Sequence, residues 1–318
     1  MTSASDGTLV AEPRTDAWEF GDFAYGLEPL TLPPVGHATV ASALVPSALP
    51  PCRPDHVLIR LRLLAEGGKP DLPDSFSDSA DDQLFWFRWI TGHQITFLIW
   101  HLMGQILERN SEREIPDRAS LARLETYAYG YCAMLLYTGS CPIDLYQSLI
   151  RPRMYLQHRS FSGTWASDFV PVRGLFRGRG VARGGAPEAA GLARAVDVHK
   201  TIHDGIAARL VPEGRSLLQQ SIKETAVRPS ERTAILYDNF FMTLRAPVNG
   251  DGITSQLLRR LDAVASDVAA RGLYPLGHGG DERPKELRSA EVAHCEDRIG
   301  HILCEVGEAA AMSAKPLS

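Results

Sequence analysis

Apolar positions recur at helical spacing along most of the chain. From Gln83 to Glu108 the sequence reads QLFWFRWITGHQITFLIWHLMGQILE. Trp86, Trp89, Ile90, His93, Phe97, Trp100 and Gly104 follow a helical period, and the segment is apolar on most sides. This predicts a helix central to the fold. A second helix is predicted over 117–138, with Leu121, Leu124, Ala128 and Tyr131 on one face and Gly139 and Pro142 ending it. A short helix follows over 142–150. A third is predicted over 188–211, where Leu192, Ala195, His199, Ile202, Ile206 and Leu210 form a stripe that Pro212 and Gly214 close. Further helical patterns cover 215–225, 230–244, 252–271 and 286–312. Strand alternation is almost absent, and no repeat at solenoid periods occurs. The chain is therefore expected to be mainly α.

Three stretches interrupt this pattern. Residues 1–55 carry Pro33, Pro34, Pro46, Pro50, Pro51 and Pro54, which argue against a long helix. They are read as an extended N-terminal arm lying on a helical domain over 56–318, anchored through Trp18, Phe20, Phe23 and Tyr25. The stretch GGKPDLPDSFSDSADD (67–82) reads as a polar loop whose end, Ser79 to Asp82, offers helix-capping residues. Residues 151–187 look irregular and run into a long Gly/Arg loop. Its Arg173, Arg177, Arg179 and Arg183 meet no acid between Asp168 and Glu188. The loop is either solvated or a seat for an anion.

Composition narrows the function. The chain has 318 residues, a formal charge of −5 from 33 basic and 38 acidic side chains, and a pI of about 6.1. That balance argues against a nucleic-acid or membrane-surface partner. No run of about 18 apolar residues occurs, so no membrane span is expected. The first residues do not resemble a secretory signal. Five cysteines suggest no disulfide scaffold, and a reduced, cytoplasmic chain is expected. Phosphate-loop, GxSxG, HExxH and CxxC motifs are missing, and RGRGVARGG has Arg183 where a dinucleotide fingerprint needs its third Gly. The tail HCEDRIGHILC puts His294, His301 and Cys304 on one face of a helix. Ligands seven residues apart stand roughly 10 Å apart, so ordinary helix residues are the better reading than a metal site.

Histidines carry the remaining chemistry. His93 lies among Trp89, Ile90 and Phe97 and is either a neutral core imidazole or a pocket acid/base. His203 lies one turn after His199. By composition alone neither is distinguishable from a core histidine.

Residues 88–107, RWITGHQITFLIWHLMGQIL, resemble the distal-histidine helix of tryptophan 2,3-dioxygenase through Gly92-His93-Gln94, Trp100 and Gln105-Ile106-Leu107. HDGIAARL (203–210) resembles that family's axial-ligand helix through His203, Ile206, Arg209, Leu210 and the following Val211. The GTGG segment that follows in the dioxygenase is missing here. Residues 137–173, YTGSCPIDLYQSLIRPRMYLQHRSFSGTWASDFVPVR, resemble instead the haem-dependent L-tyrosine 3-hydroxylases of antibiotic biosynthesis, a smaller branch of the same aromatic oxygenase superfamily.

That resemblance implies a helical bundle around a haem pocket. It implies hydroxylation of L-tyrosine at ring carbon 3 to L-DOPA, with hydrogen peroxide as oxidant. His203 would be the iron ligand, with His199 as the alternative, and His93 would be the catalytic residue on the opposite side. Arg151 and Arg153 would hold the substrate carboxylate, and Trp89 and Phe97 its ring, with Trp86 and Trp165 as further wall candidates. Ser160, Ser162, Gly163, Thr164 and Arg173 would hold the cofactor. A related class attaches haem through HxxxC; His301-Ile302-Leu303-Cys304 is one residue short and no CxxCH occurs, so non-covalent haem b is expected. A tryptophan or indole haem dioxygenase and a non-catalytic haem sensor are the alternatives. L-tyrosine and peroxide are the expected partners, nucleic acid and membrane are not, and a homodimer is left open.

Overall fold

The computed structural model describes residues 19–21, 24–34, 49–70, 72, 80–112, 115–180, 187–211, 217, 228–277 and 283–314. Trp18, Phe23 and Arg183 lie outside these residues, and so does the helix expected over 215–225, apart from Leu217.

The longest element is α2 (Asp81–Arg109), which follows α1 (Pro54–Ala65). Eighteen of its 29 residues are buried, as its all-round apolar sequence requires. Its N-cap is Ala80, without a side-chain cap, and Asp81 and Asp82 instead complement the helix dipole. Across it lies α3 (Arg118–Gly139), capped by Asp117, whose carboxylate accepts from Ser120 N at 2.9 Å. Where α2 and α3 meet, a Cβ on Gly92 would fall 2.5 Å from Thr138 Cγ2, so only glycine allows this approach. After α3 come a short helical run, Ile143–Leu145, a π-helical turn, Tyr146–Ile150, and α4 (Arg151–Gln157). The stretch expected to be irregular instead opens with the helix α4, then holds two single 3₁₀ turns, Gly163–Trp165 and Ser167–Phe169, and one helical turn, Arg173–Phe176.

Helix α5 (Ala190–Leu210) packs against α3 with the predicted stripe inward. Next, α6 (Glu231–Phe240) begins with a capping box between Ser230 and Thr233. It stops short of the expected residue 244 because Met242 takes a φ of 52° and the chain leaves as a strand. The amphipathic α7 (Gly250–Arg271) ends at Gly272, whose φ of 72° suits glycine. The helix expected over 286–312 is two helices, α8 (Ala290–Asp297) and α9 (Ile299–Ala314), broken at Arg298.

Pro54, at the end of the arm, starts α1 at the position where a missing N–H costs nothing. The described part of the arm also enters the core as a strand. β1 (Leu30–Leu32) pairs in parallel with β2 (Thr243–Arg245) in the register Leu30↔Thr243, Thr31↔Leu244 and Leu32↔Arg245. Leu30 and Leu32 are fully buried. The Gln256 side chain of α7 accepts from Thr31 N at 2.7 Å and donates to Thr31 O at 2.9 Å. Phe20 and Tyr25 are both buried anchors.

No helix among the described residues is long and apolar enough to cross a membrane. All five cysteines are free thiols.

Candidate active site

A cavity of about 590 Å³ opens between α2, α3, α5, the end of α6 and the segment 151–176. Its size lies within the range of about 300–1,000 Å³ usual for cofactor and ligand pockets. Trp89, His93 and Trp100 line it from α2, Tyr131 from α3, and Tyr237 and Phe241 from α6 and the turn after it. Phe169 and Phe176 close it from the irregular segment. These rings touch one another: Trp100 lies 5.2 Å from Tyr131 and 4.8 Å from Phe169 between centroids.

The Gly92-His93-Gln94 run serves three directions of α2. Gly92 admits α3. Gln94 points away from the cavity and donates to the carbonyls of Glu28 and Phe241, which joins the arm to the Phe241 turn. His93 lines the cavity, with its ring stacked on Phe241 at 4.5 Å and 22°. Its Nδ1 lies 2.6 Å from the Trp89 carbonyl. A carbonyl only accepts, so Nδ1 carries the proton and Nε2 is left as the acceptor. Burial pushes the His93 pKa down to about 4, opposed in part by this hydrogen bond. The ring is a neutral base with its lone pair on Nε2.

Two imidazoles stand on α5. His199 is buried between the rings of Tyr131 and Phe176, at 4.4 and 4.5 Å. Neither of its nitrogens has a hydrogen-bond partner among the described residues. Burial, with a smaller contribution from His203, pushes its pKa down to about 3. An uncharged, unpartnered donor atom in a cavity wall is costly unless something occupies it. His203, one turn on, also lines the cavity. Its side chain is 58% exposed, lies 3.4 Å from Asp204 and stacks on the His199 ring at 6.1 Å. Arg209, which the family-like pattern pairs with His203, donates to the carbonyls of Gly139 and Cys141 and so pins this end of α5 to α3.

Of the residues singled out from sequence, the cavity brings together His93, His203, Trp89, Arg151, Ser162, Gly163 and Thr164, together with the alternative His199. Ser162 and Thr164 form a small hydroxyl turn, Oγ to Oγ1 3.0 Å, with Thr164 N donating to Ser162 Oγ. The others fall outside the lining. Arg153 lies over the Trp86 ring, 4.4 Å from its centroid, on an exposed face. Phe97 is buried behind the wall and contacts His93, Trp100 and Tyr237. Ser160 and Trp165 are buried beside the Ser162 turn. Arg173 donates to the Thr164 carbonyl at 3.3 Å and sits over Phe169, so it braces the turn from behind. Sequence reading missed Lys200, an exposed cation at the rim, and the Tyr237–Phe241 wall, whose only sequence signal is a cluster of aromatics. At the C-terminus, His294 and His301 are exposed and the break at Arg298 separates their helices. No group of three or more potential ligands among the described residues could hold a metal ion on its own.

The donor set fits a haem. An unpartnered imidazole faces a wide aromatic slot, a second neutral imidazole stands on α2, and Arg151 and Lys200 at the rim suit anionic side chains. No cysteine lines the cavity.

A family model described as SfmD 3-methyl-L-tyrosine peroxygenase matches residues 35–195, half of the chain. No curated protein matches it.

Proposed function

The chain belongs to the SfmD 3-methyl-L-tyrosine peroxygenase family, and we propose that it is a haem-dependent oxidoreductase that hydroxylates the phenol ring of a tyrosine with hydrogen peroxide. Peroxygenases of this type are haem-dependent. The overall change is one ring hydrogen replaced by hydroxyl, with peroxide reduced to water. The substrate is L-tyrosine, hydroxylated at carbon 3 to L-DOPA, or its 3-methyl derivative, which the family description favours. The observation that carries the reading is the buried, unpartnered His199 facing the neutral His93 side of one aromatic cavity.

Bound there, haem b would supply the activation of the peroxide O–O bond. The protein's own groups have separate tasks. The α5 imidazole would bind the iron. His199 best meets that need, because both its nitrogens are neutral and unpartnered. His203 is the second reading, favoured by its register with the anchored Arg209. His93 accepts a proton at Nε2, from the phenol or from peroxide, and returns it as the reaction ends. Arg151, held at the rim by its bond to the Tyr146 phenol, and Lys200 pair with the carboxylate groups of substrate or cofactor. Ser162, Gly163 and Thr164 offer hydroxyl and backbone donors beside them. The aromatic walls orient the ring and exclude water.

The test is an absorption spectrum of the purified, haem-supplied protein with and without L-tyrosine and 3-methyl-L-tyrosine, followed by peroxide and mass analysis. A Soret band that responds to the amino acid, and a product one oxygen atom heavier, are expected. A colourless protein refutes the reading. Turnover of tryptophan with dioxygen alone would make it a dioxygenase, and a Soret band without any product would make it a sensor.

A further inference from the structure

Behind the cavity wall lies a buried charge cluster that binds none of the groups just described. Arg245, at the end of β2, makes two bidentate pairs. Its Nε and Nη2 donate to Asp238 at 2.9 and 2.7 Å, and its Nη1 and Nη2 donate to Asp168 at 3.0 and 2.7 Å. Nη1 also reaches the Pro33 carbonyl of the arm at 3.4 Å. The side chains of Arg245, Asp168 and Asp238 are 19%, 7% and 12% exposed. His101 is close enough for Asp168 and Arg245 to act on its charge.

Each cluster member other than Arg245 is the sequence neighbour of a cavity-wall aromatic. Asp168 precedes Phe169, Asp238 follows Tyr237, and His101 follows Trp100. Asp168 sits in a single 3₁₀ turn, an element too short to hold its own position, while Asp238 sits on α6. Among the described residues, Arg245 grips both. A planar guanidinium with five donors can hold two carboxylates in fixed directions, whereas an ammonium cannot.

We propose that Arg245 is a positioning residue for the cavity: by holding Asp168 and Asp238 at once, it sets the separation of Phe169 and Tyr237 and so the width of the slot that receives the substrate ring. The proposal rests on the reading of this cavity as the tyrosine site. It predicts that the clamp governs which ring fits, and not whether the cofactor binds.

Arg245→Lys keeps the charge and removes the double fork. In the haem-loaded protein, KM for the tyrosine substrate should rise about tenfold while kcat stays within about twofold, as loss of uniform binding requires. The preference between L-tyrosine and 3-methyl-L-tyrosine should shrink, and the Soret band without substrate should stay as in the wild type. Near-UV circular dichroism of the apoprotein should weaken, because Trp100, Phe169 and Tyr237 lose their fixed packing. If Arg245→Lys fails to fold, Asp168→Asn, which keeps an acceptor on one arm, should show the same KM shift and loss of preference to a smaller degree. A variant that only melts earlier, with KM, preference and near-UV signal unchanged, overturns the proposal. If the wild type itself shows no peroxide turnover, the functional reading has failed; the near-UV signal then decides the clamp alone, its loss supporting it and its persistence overturning it.

Discussion

Replacing His199 by phenylalanine separates what its ring does for packing from what its nitrogens do. In the apoprotein the ring lies 4.4 Å from Tyr131 and 4.5 Å from Phe176, and both nitrogens lack partners among the described residues. A buried polar group left unpaired costs about 1–3 kcal/mol. The imidazole is neutral, with its pKa pushed down to about 3, so no charge pairing is lost on substitution. Phenylalanine keeps an aromatic ring between Tyr131 and Phe176 and removes the orphaned atoms. The apoprotein should gain about 1–3 kcal/mol, which at roughly 2 °C per kcal/mol for a chain of this length raises Tm by about 2–6 °C. Haem titration of the same variant should lose the imidazole-ligated Soret spectrum. His203→Ala should leave the apoprotein within about 0.5 kcal/mol of wild type, because that side chain is exposed. Thermal melts of both apoproteins and haem titrations of both variants make the comparison. A fall in apoprotein Tm for His199→Phe refutes the reasoning, since it would mean that the nitrogens are satisfied in the free protein. An unchanged haem spectrum in that variant, with loss in His203→Ala, transfers the iron to His203.

Two further outcomes follow from the same geometry. His93 is depressed from 6.5 to about 4 in the folded chain, so the acid limb of kcat/KM that it governs should fall near pH 4. Its contribution to stability is complete above pH 6.5 and is lost as pH falls through that window, because the unfolded chain takes up the proton first. A limb at 6.5, or one that survives His93→Gln, assigns it to another group. Arg88→Met strands Asp267, which Arg88 Nε pairs at 2.8 Å and to which Tyr25 and Tyr137 also donate. The cost should be about 3–5 kcal/mol in denaturant unfolding, with part recovered in Arg88→Met/Asp267→Asn. A cost below about 1 kcal/mol would show that the network is not buried in solution.

The long helices were legible wherever the apolar period ran for several turns, as in α2, α3, α5 and α7. Their ends were less so. α6 stops at a left-handed Met242 with no Gly or Pro beside it, and α8 and α9 part at Arg298, two residues before Gly300. β1 and β2 could not be read at all, since three residues show no period and their pairing joins positions more than 200 apart in the chain.

Local pattern alone determined that this chain buries helical stripes, that His93 and His199 fall on apolar faces, and that the family-like segments follow one another in order. Those properties depend on neighbours within a few turns. Only the tertiary structure decided which imidazole is left without a partner, which of several arginines reach the cavity, and that Arg245 rather than the Gly/Arg loop holds the carboxylates behind its wall. Burial and hydrogen-bond satisfaction are sums over atoms brought together from distant parts of the chain, and no spacing along a sequence contains them.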